Sequence, residues 1–213
     1  MKEGIAMTPI KNIYCVGRNY VLHAKELNNK VPTSPFLFLK PTHALVEANG
    51  QDIILPANQG SVHYEAELVL RIGKPYEKGI KVDELVNSMA IGIDLTLRDV
   101  QDELKEKGYP WLLAKGFQNS AVLSKFIDFP GIEKCEQEDF ALIKNGEQVQ
   151  LGNIKNMIFD PQTIVDFTAD HFGLGVGDII FTGTPEGVGK VHDGDQISLL
   201  FGGEILGTCT FKK

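Results

Sequence analysis

Apolar and polar residues alternate along His63-Tyr64-Glu65-Ala66-Glu67-Leu68-Val69-Leu70-Arg71-Ile72. The alternation predicts a β-strand with Ala66, Leu68, Leu70 and Ile72 on one face and Glu65, Glu67, Val69 and Arg71 on the other. A second alternating run sets Ile91, Ile93, Leu95 and Leu97 against Gly92, Asp94, Thr96 and Arg98. Helical spacing is confined to about Val21–Asn28, Val82–Asn87, Leu97–Lys107 and Asp160–His171, the last opened by Asp160-Pro161 as cap and first turn. Asn49-Gly50 and Asn145-Gly146, each between strand-like runs, predict type I′ hairpin turns. Strand pattern returns over Asp178–Phe181 and Gln196–Phe211. Strands without regular strand–helix alternation predict an α+β fold, a β-rich mixed sheet with few short helices.

The 213 residues are 43% hydrophobic and 23% charged, ordinary for a globular protein. A net charge of −7 with no basic stripe argues against a nucleic-acid partner. No apolar run is long enough for a membrane span, and the N-terminus has no apolar signal-peptide core, so no membrane partner is expected. Cys15, Cys135 and Cys209 are widely spaced with no CxxC pair, which fits reduced thiols in a cytoplasmic protein.

Chemistry changes the reading of the two alternating runs. Alone, Glu65 and Glu67 fit the solvated face of a half-buried strand, and Asp94 fits a local bond to Arg98 or Thr96. Yet a carboxylate in an apolar run is costly unless partnered. Convergence of Glu65, Glu67 and Asp94 on one divalent cation places all three. Such an all-oxygen donor set, with no zinc-spaced Cys or His, favours Mg²⁺, Mn²⁺ or Ca²⁺. His63, two residues before Glu65, is expected beside that site.

His23 and Glu26 are three apart on a predicted helix, the spacing of a tuned general base or of an ordinary surface pair. The Gly-rich stretch Gly183-Thr184-Pro185-Glu186-Gly187-Val188-Gly189-Lys190 fails the P-loop pattern, since Val191 stands where Ser or Thr is required. Its backbone N–H groups and the Thr184 hydroxyl could still meet an anionic ligand.

In order, Val16-Gly17-Arg18-Asn19-Tyr20 with His23 and Glu26, Phe36-Leu37-Phe38-Leu39-Lys40-Pro41, His63-Tyr64-Glu65-Ala66-Glu67-Leu68, Asp94-Leu95-Thr96-Leu97-Arg98-Asp99-Val100-Gln101, Pro110-Trp111-Leu112-Leu113-Ala114-Lys115 and Ile180-Phe181-Thr182-Gly183-Thr184-Pro185 resemble the fumarylacetoacetate hydrolase family. Among its members the chain looks most like the short, single-domain branch of acylpyruvases and oxaloacetate decarboxylases. The resemblance implies an N-terminal extension over residues 1–10, one catalytic domain over residues 11–213 with a rolled mixed sheet, and a homodimer. It implies Mg²⁺ or Mn²⁺ on Glu65, Glu67 and Asp94. His23 and Glu26 match the family's acid–base dyad, and Lys115 its catalytic lysine. Arg98, Gln101 and Thr184 match substrate contacts, and Arg18 belongs to the same entrance loop.

Two departures stand out. Longer members supply an extra carboxylate where this chain has Cys15-Val16-Gly17, and Gly116-Phe117-Gln118-Asn119 replaces a common Ser-Phe-Asp-Thr. The implied activity is cleavage or decarboxylation of a small 2-oxo acid through an enolate. Alternatives are the isomerases and decarboxylases of longer dicarboxylates (2-hydroxyhepta-2,4-diene-1,7-dioate, 5-oxopent-3-ene-1,2,5-tricarboxylate), an oxaloacetate tautomerase, or a non-enzymatic, metal-stabilised binding module for small acids.

Overall fold

The computed structural model describes residues 9–27 and 30–213. Of the expected N-terminal extension only Pro9 and Ile10 fall within it, and Asn28, the expected end of the first helix, lies outside. In chain order the elements begin with β1 (Ile13–Val16), α1 (Val21–Glu26), β2 (Leu37–Lys40), β3 (Leu45–Glu47), β4 (Asn49–Ile54), β5 (Val62–Tyr64) and β6 (Ala66–Ile72). They continue with α2 (Val82–Leu85), β7 (Val86–Asp94), β8 (Thr96–Leu97), α3 (Arg98–Lys107), α4 (Leu112–Lys115), β9 (Ala121–Leu123), β10 (Ile127–Asp128) and α5 (Ile132–Gln137). The last are β11 (Phe140–Lys144), β12 (Glu147–Gly152), α6 (Pro161–Phe172), β13 (Ile179–Phe181), β14 (Gly189–Lys190), β15 (Gln196–Phe201) and β16 (Glu204–Lys212).

The largest sheet runs β2-β1-β13-β6-β7-β9-β3, with β10 also on β7. It is mixed: β1 lies parallel to β13 and β3 to β9, and the other pairs are antiparallel. A five-stranded sheet, β12-β11-β15-β16-β4, packs against it, and β14-β5-β8 forms a small third sheet. The main core lies between the sheets. A second cluster, including Ile13, Cys15, Val69, Ala90 and Phe181, covers the other face of the large sheet. Both faces of β6 are therefore buried, so the side expected to face solvent does not: Glu67 and Arg71 are enclosed with the rest of the strand. The expected α+β, β-rich mixed fold is the one found.

Local signals explain most elements. Asp160 caps α6, its carboxylate accepting the Thr163 N–H at 2.7 Å, with Pro161 in the first turn. Asn145 (φ 54°) and Gly146 (φ 83°) turn β11 into β12 as a hairpin. Three expectations are corrected. Asn49-Gly50 makes no hairpin: β3 pairs with β9 and β4 with β16, so the chain changes sheets there. Gly50, at φ 92°, sits where β4 carries an extra residue against Thr208–Thr210. The helix expected over Val82–Asn87 stops at Leu85, because Val86 enters β7. The single strand expected over His63–Ile72 is broken at Glu65: β5 joins the small sheet and β6 the large one.

Candidate active site

The break at Glu65 is matched by one at Leu95, between β7 and β8. The Asp94 N–H donates to the Glu65 carbonyl at 2.8 Å, holding the two breaks side by side. Both chains leave the large sheet here for the small one, and the carboxylates of Glu65, Glu67 and Asp94 converge at this seam. One oxygen from each lies within 4.8 Å of the others, and all three residues are buried. Glu67 lies opposite Gly92, where no side chain fits: a Cβ would stand 2.5 Å from Phe181.

Three buried cations answer the three acids. Lys115, 2% exposed at the end of the four-residue α4, donates to Glu65 Oε2 at 2.8 Å and to Asp94 Oδ2 at 2.6 Å. Arg98, at the start of α3, donates to Glu65 Oε1 at 2.5 Å and to Gln101 Oε1 at 2.6 Å. Lys40, at the end of β2, lies 2.8 Å from Asp94 Oδ1 and donates to the carbonyls of Leu95 and Lys115. The Lys40 contact is an ion pair without hydrogen-bond alignment, so Asp94 Oδ1 accepts no hydrogen bond among the described residues. The local partners expected of Asp94 are not used: Arg98 binds Glu65, and the Thr96 hydroxyl is buried without a partner among the described residues.

Electrostatics separates the two glutamates. Burial pushes Glu65 up, but Lys115 and then Arg98 outweigh it and hold the carboxyl far below the usual range. Glu67 forms no ion pair among the described residues, and Lys115 is the least of the influences on it. Burial and the neighbouring Asp94 push it well above the usual range, against one backbone hydrogen bond from Gly183 N–H at 2.6 Å. For Lys115 burial works downward, but Asp94 and Glu65 prevail and raise it.

The dyad residues lie on α1, which is too short to stand alone. Its approach is anchored by Asn19, fully buried, whose side-chain amide donates to the carbonyls of Thr182 at 2.8 Å and Phe159 at 3.0 Å and accepts the Phe159 N–H at 2.8 Å. His23 Nδ1 stands 3.4 Å from Glu26 Oε2, and Glu26 Oε1 accepts the Gly187 N–H at 3.1 Å. Burial lowers the His23 pKa, with Glu65 and Glu26 pulling the other way.

One cleft is lined by Arg18, His23, Glu65, Glu67, Asp94, Arg98, Gln101, Lys115 and Thr184, so nine of the ten expected site residues meet there. Glu26, the tenth, stands behind His23. Phe38, Lys105 and Trp111 also line it. His63 does not: its Nε2 is 3.1 Å from Ser61 Oγ, outside the cleft. The Gly-rich stretch after β13 spends the amides of Gly183 and Gly187 on Glu67 and Glu26 rather than offering them to a ligand. Two supporting residues went unread in the sequence. Lys40 carries the signal that marked Asp94, a lone charge closing the apolar run Phe36–Leu39. Gln150 accepts the Ala66 N–H at 2.8 Å and donates to Thr184 Oγ1 at 2.9 Å, and nothing in its surroundings marks it out.

A β-rich fold with three carboxylates at a seam between sheets and a His–Glu pair above them defines an enzyme site rather than a passive scaffold. The family model for the fumarylacetoacetate (FAA) hydrolase C-terminal region matches residues 12–212, and the chain belongs to that family and is an enzyme. It is 38% identical over 205 residues to the oxaloacetate tautomerase YcgM of Escherichia coli K12, covering 94% of this chain and 92% of the relative. Identity to the human mitochondrial oxaloacetate tautomerase FAHD1 is 40% over 204 residues, covering 95% and 91%. Among solved structures, fumarylpyruvate hydrolase from Pseudomonas aeruginosa, in complex with Mn²⁺ and pyruvate, superposes with a TM-score of 0.89 at 33% identity, covering 99% of this chain and 93% of that one. Among the described residues no helix is long and apolar enough to cross a membrane.

Proposed function

We propose that this enzyme acts on small 2-oxo acids, oxaloacetate foremost, by making and quenching an enolate in a cleft where Glu65, Glu67 and Asp94 would hold a divalent cation. The observation that carries this reading is the placing of the buried triad, Lys115 and the His23–Glu26 pair in one cleft. The donor set fits such a cation. Its atoms are all oxygens, and among the described residues Asp94 Oδ1 accepts no hydrogen bond beside its Lys40 ion pair and Glu67 forms no ion pair. Mg²⁺ or Mn²⁺ is the ion we assign, with Ca²⁺ a poorer Lewis acid of the same ligand preference. Charge supports the substrate class. With Glu67 ionised, as a ligand must be, Lys40, Lys115 and Arg98 equal the three carboxylates in charge, though their ion pairs go to Glu65 and Asp94. A divalent cation adds two positive charges in a buried site, and a doubly charged 2-oxo acid restores neutrality.

When bound, the cation supplies Lewis acidity to the adjacent oxygens of a 2-oxo carboxylate. The protein does the rest. Lys115 and Arg98 present fixed donors where negative charge grows. The tautomer of His23 that donates from Nδ1 to Glu26 leaves Nε2 as the base. That base removes a proton from the carbon beside the keto group and returns it to oxygen or carbon, which interconverts enol and keto forms. Decarboxylation instead breaks the bond from the keto form to its tail carboxylate, releasing CO₂ and leaving pyruvate enolate, and needs His23 only to relay the final proton to carbon. Acylpyruvate hydrolysis is the second reading, favoured by the buried, carboxylate-oriented His23, which can equally take a proton from water attacking the distal carbonyl. The test is to follow enol–keto conversion and pyruvate release from oxaloacetate, and pyruvate release from acetylpyruvate, with Mg²⁺, with Mn²⁺ and after chelation. Cation-dependent turnover supports the proposal, and turnover indifferent to chelation sinks it.

Glu67 gives cation binding a pH dependence. Its raised pKa keeps a proton on the cation-free carboxyl to higher pH than an ordinary glutamate holds one, whereas a ligand carboxylate must be ionised. Binding therefore releases a proton, and affinity rises by up to about tenfold per pH unit until Glu67 ionises unaided. Calorimetry of Mg²⁺ binding in buffers of differing ionisation enthalpy measures this release, and no proton released near neutral pH contradicts the assignment.

We further infer a homodimer, on the apolar face where Leu39, Tyr109, Leu112, Leu113 and Phe172 are all exposed. Sedimentation velocity should give twice the chain mass of 23.5 kDa. A monomer at micromolar concentration would rule it out. Three buried, unpaired thiols suit a reducing compartment, and we place the enzyme in the cytoplasm.

A further inference from the structure

The outer part of the cleft holds positive charge that its own acids do not answer. α3 sets Arg98, Gln101 and Lys105 at i, i+3 and i+7, one helical face, and all three line the cleft. Arg98 spends its terminal nitrogens on Glu65 and Gln101, but its Nε is buried without a hydrogen-bond partner among the described residues. Arg18 lines the same cleft with its guanidinium 5.6 Å from the centre of the Phe36 ring, and no ion pair or hydrogen bond engages it among the described residues. Its backbone is left-handed, φ 57°, a conformation costly for a residue with a Cβ and tolerated where a side chain must be aimed.

Lys105 Nζ stands 5.7 Å from the centre of the Trp111 ring. Among the described residues its one ion-pair partner is Asp102, 3.3 Å away and itself 60% exposed. A pair of that kind holds weakly and gives way to a better anion. Burial lowers the Lys105 pKa, and the nearby Arg98 and Arg18 oppose its charge further, against the pull of Asp102. Three cations crowded at one mouth, two of them without a buried acid, form a receptor for an anionic group beyond the triad. Phe38 and Trp111 line the cleft with them and offer apolar contact to the carbons in between.

Building on the function proposed above, we propose that Lys105 and Arg18 receive the tail carboxylate of a dicarboxylate 2-oxo acid whose 2-oxo-carboxylate end lies at the triad. The enzyme thereby selects doubly charged substrates over acylpyruvates with uncharged tails. Lys105 is a specificity residue that holds the tail carboxylate and moves no proton. It sets which acid is held, whereas the triad and the dyad set what is done to it.

The experiment compares wild type with Lys105→Met, Lys105→Arg and Asp102→Asn, all loaded with Mg²⁺. Two ratios are read: kcat/KM for oxaloacetate over acetylpyruvate, and calorimetric affinity for 2-oxoglutarate over 2-oxohexanoate, which is of similar length without the tail charge. Lys105→Met should lower both ratios by about tenfold or more, the worth of one charged hydrogen bond. Lys105→Arg should restore most of each, and Asp102→Asn should raise them. Wild-type turnover with ratios unmoved by Lys105→Met overturns this assignment and leaves the proposed function standing. A wild type that neither binds nor turns over any 2-oxo acid overturns both.

Discussion

Asp94→Asn is expected to abolish divalent-cation binding and to lower kcat/KM on oxaloacetate by at least about a thousandfold, the scale of losing a Lewis acid and its template. Asp94 is 1% exposed, and its two oxygens face different lysines, Lys40 and Lys115. Removing its charge strips both of a buried partner. Breaking one side of such a network costs about 3–5 kcal/mol, so the variant should also unfold at lower urea. Glu67→Gln separates the two effects. Among the described residues Glu67 makes no ion pair and accepts one hydrogen bond, from the Gly183 N–H, which a glutamine oxygen can also accept. It should lose cation affinity and turnover while changing the urea midpoint far less than Asp94→Asn does. Calorimetry with Mg²⁺, turnover and urea unfolding on the same preparations decide the matter. Cation-dependent turnover within tenfold of wild type in both variants would remove the triad from the mechanism.

His23→Ala should lower turnover by about a thousandfold, the middle of the range for losing a general base, while leaving Mg²⁺ affinity close to wild type, because His23 is not among the carboxylate donors. The pH profile carries the second part of this prediction. Burial lowers the His23 pKa below its ordinary value of 6.5. The base form therefore persists to lower pH, and kcat/KM should hold its plateau through pH 6.5 and fall only below it. Glu26→Gln keeps the shape of the pair but removes the charge that favours the protonated ring, so its acid limb should move lower still. An acid limb at or above pH 6.5 in wild type, or one that stays in place in His23→Ala, would assign that limb to another group.

How far the sequence foretells this site depends on the kind of signal. Asp94 was legible because a lone carboxylate in an apolar run demands a partner. The same logic applied to the run ending at Lys40 would have found its counter-ion. Alternation correctly brought Glu65 and Glu67 together, but for an incomplete reason. The chain breaks at Glu65, and β6 is buried on both sides by clusters drawn from distant segments. No local pattern reports that second covering layer. Asn145-Gly146 behaved as its local chemistry requires because both flanking strands share a sheet. Asn49-Gly50 did not, because Thr208–Thr210, far along the chain, supplies the pairing partner. Lys105 was hidden for another reason: two lysines in the second half of α3, Lys105 and Lys107, look alike, and only the helix face shared with Arg98 and Gln101 distinguishes the first.

Asn19 ties the strip of chain before α1 to the Thr182 carbonyl after β13 and to the Phe159 turn ahead of α6, a turn that takes no part in the cleft. The height of His23 above the carboxylates is therefore set from outside, much as a bridge pin sets the pitch of a string it does not sound. A change on the far surface near Phe159 could retune the reach of the proton shuttle with every cleft residue intact. Relatives sharing all ten site residues could then differ in reaction rate through positions that a comparison of active sites would never inspect.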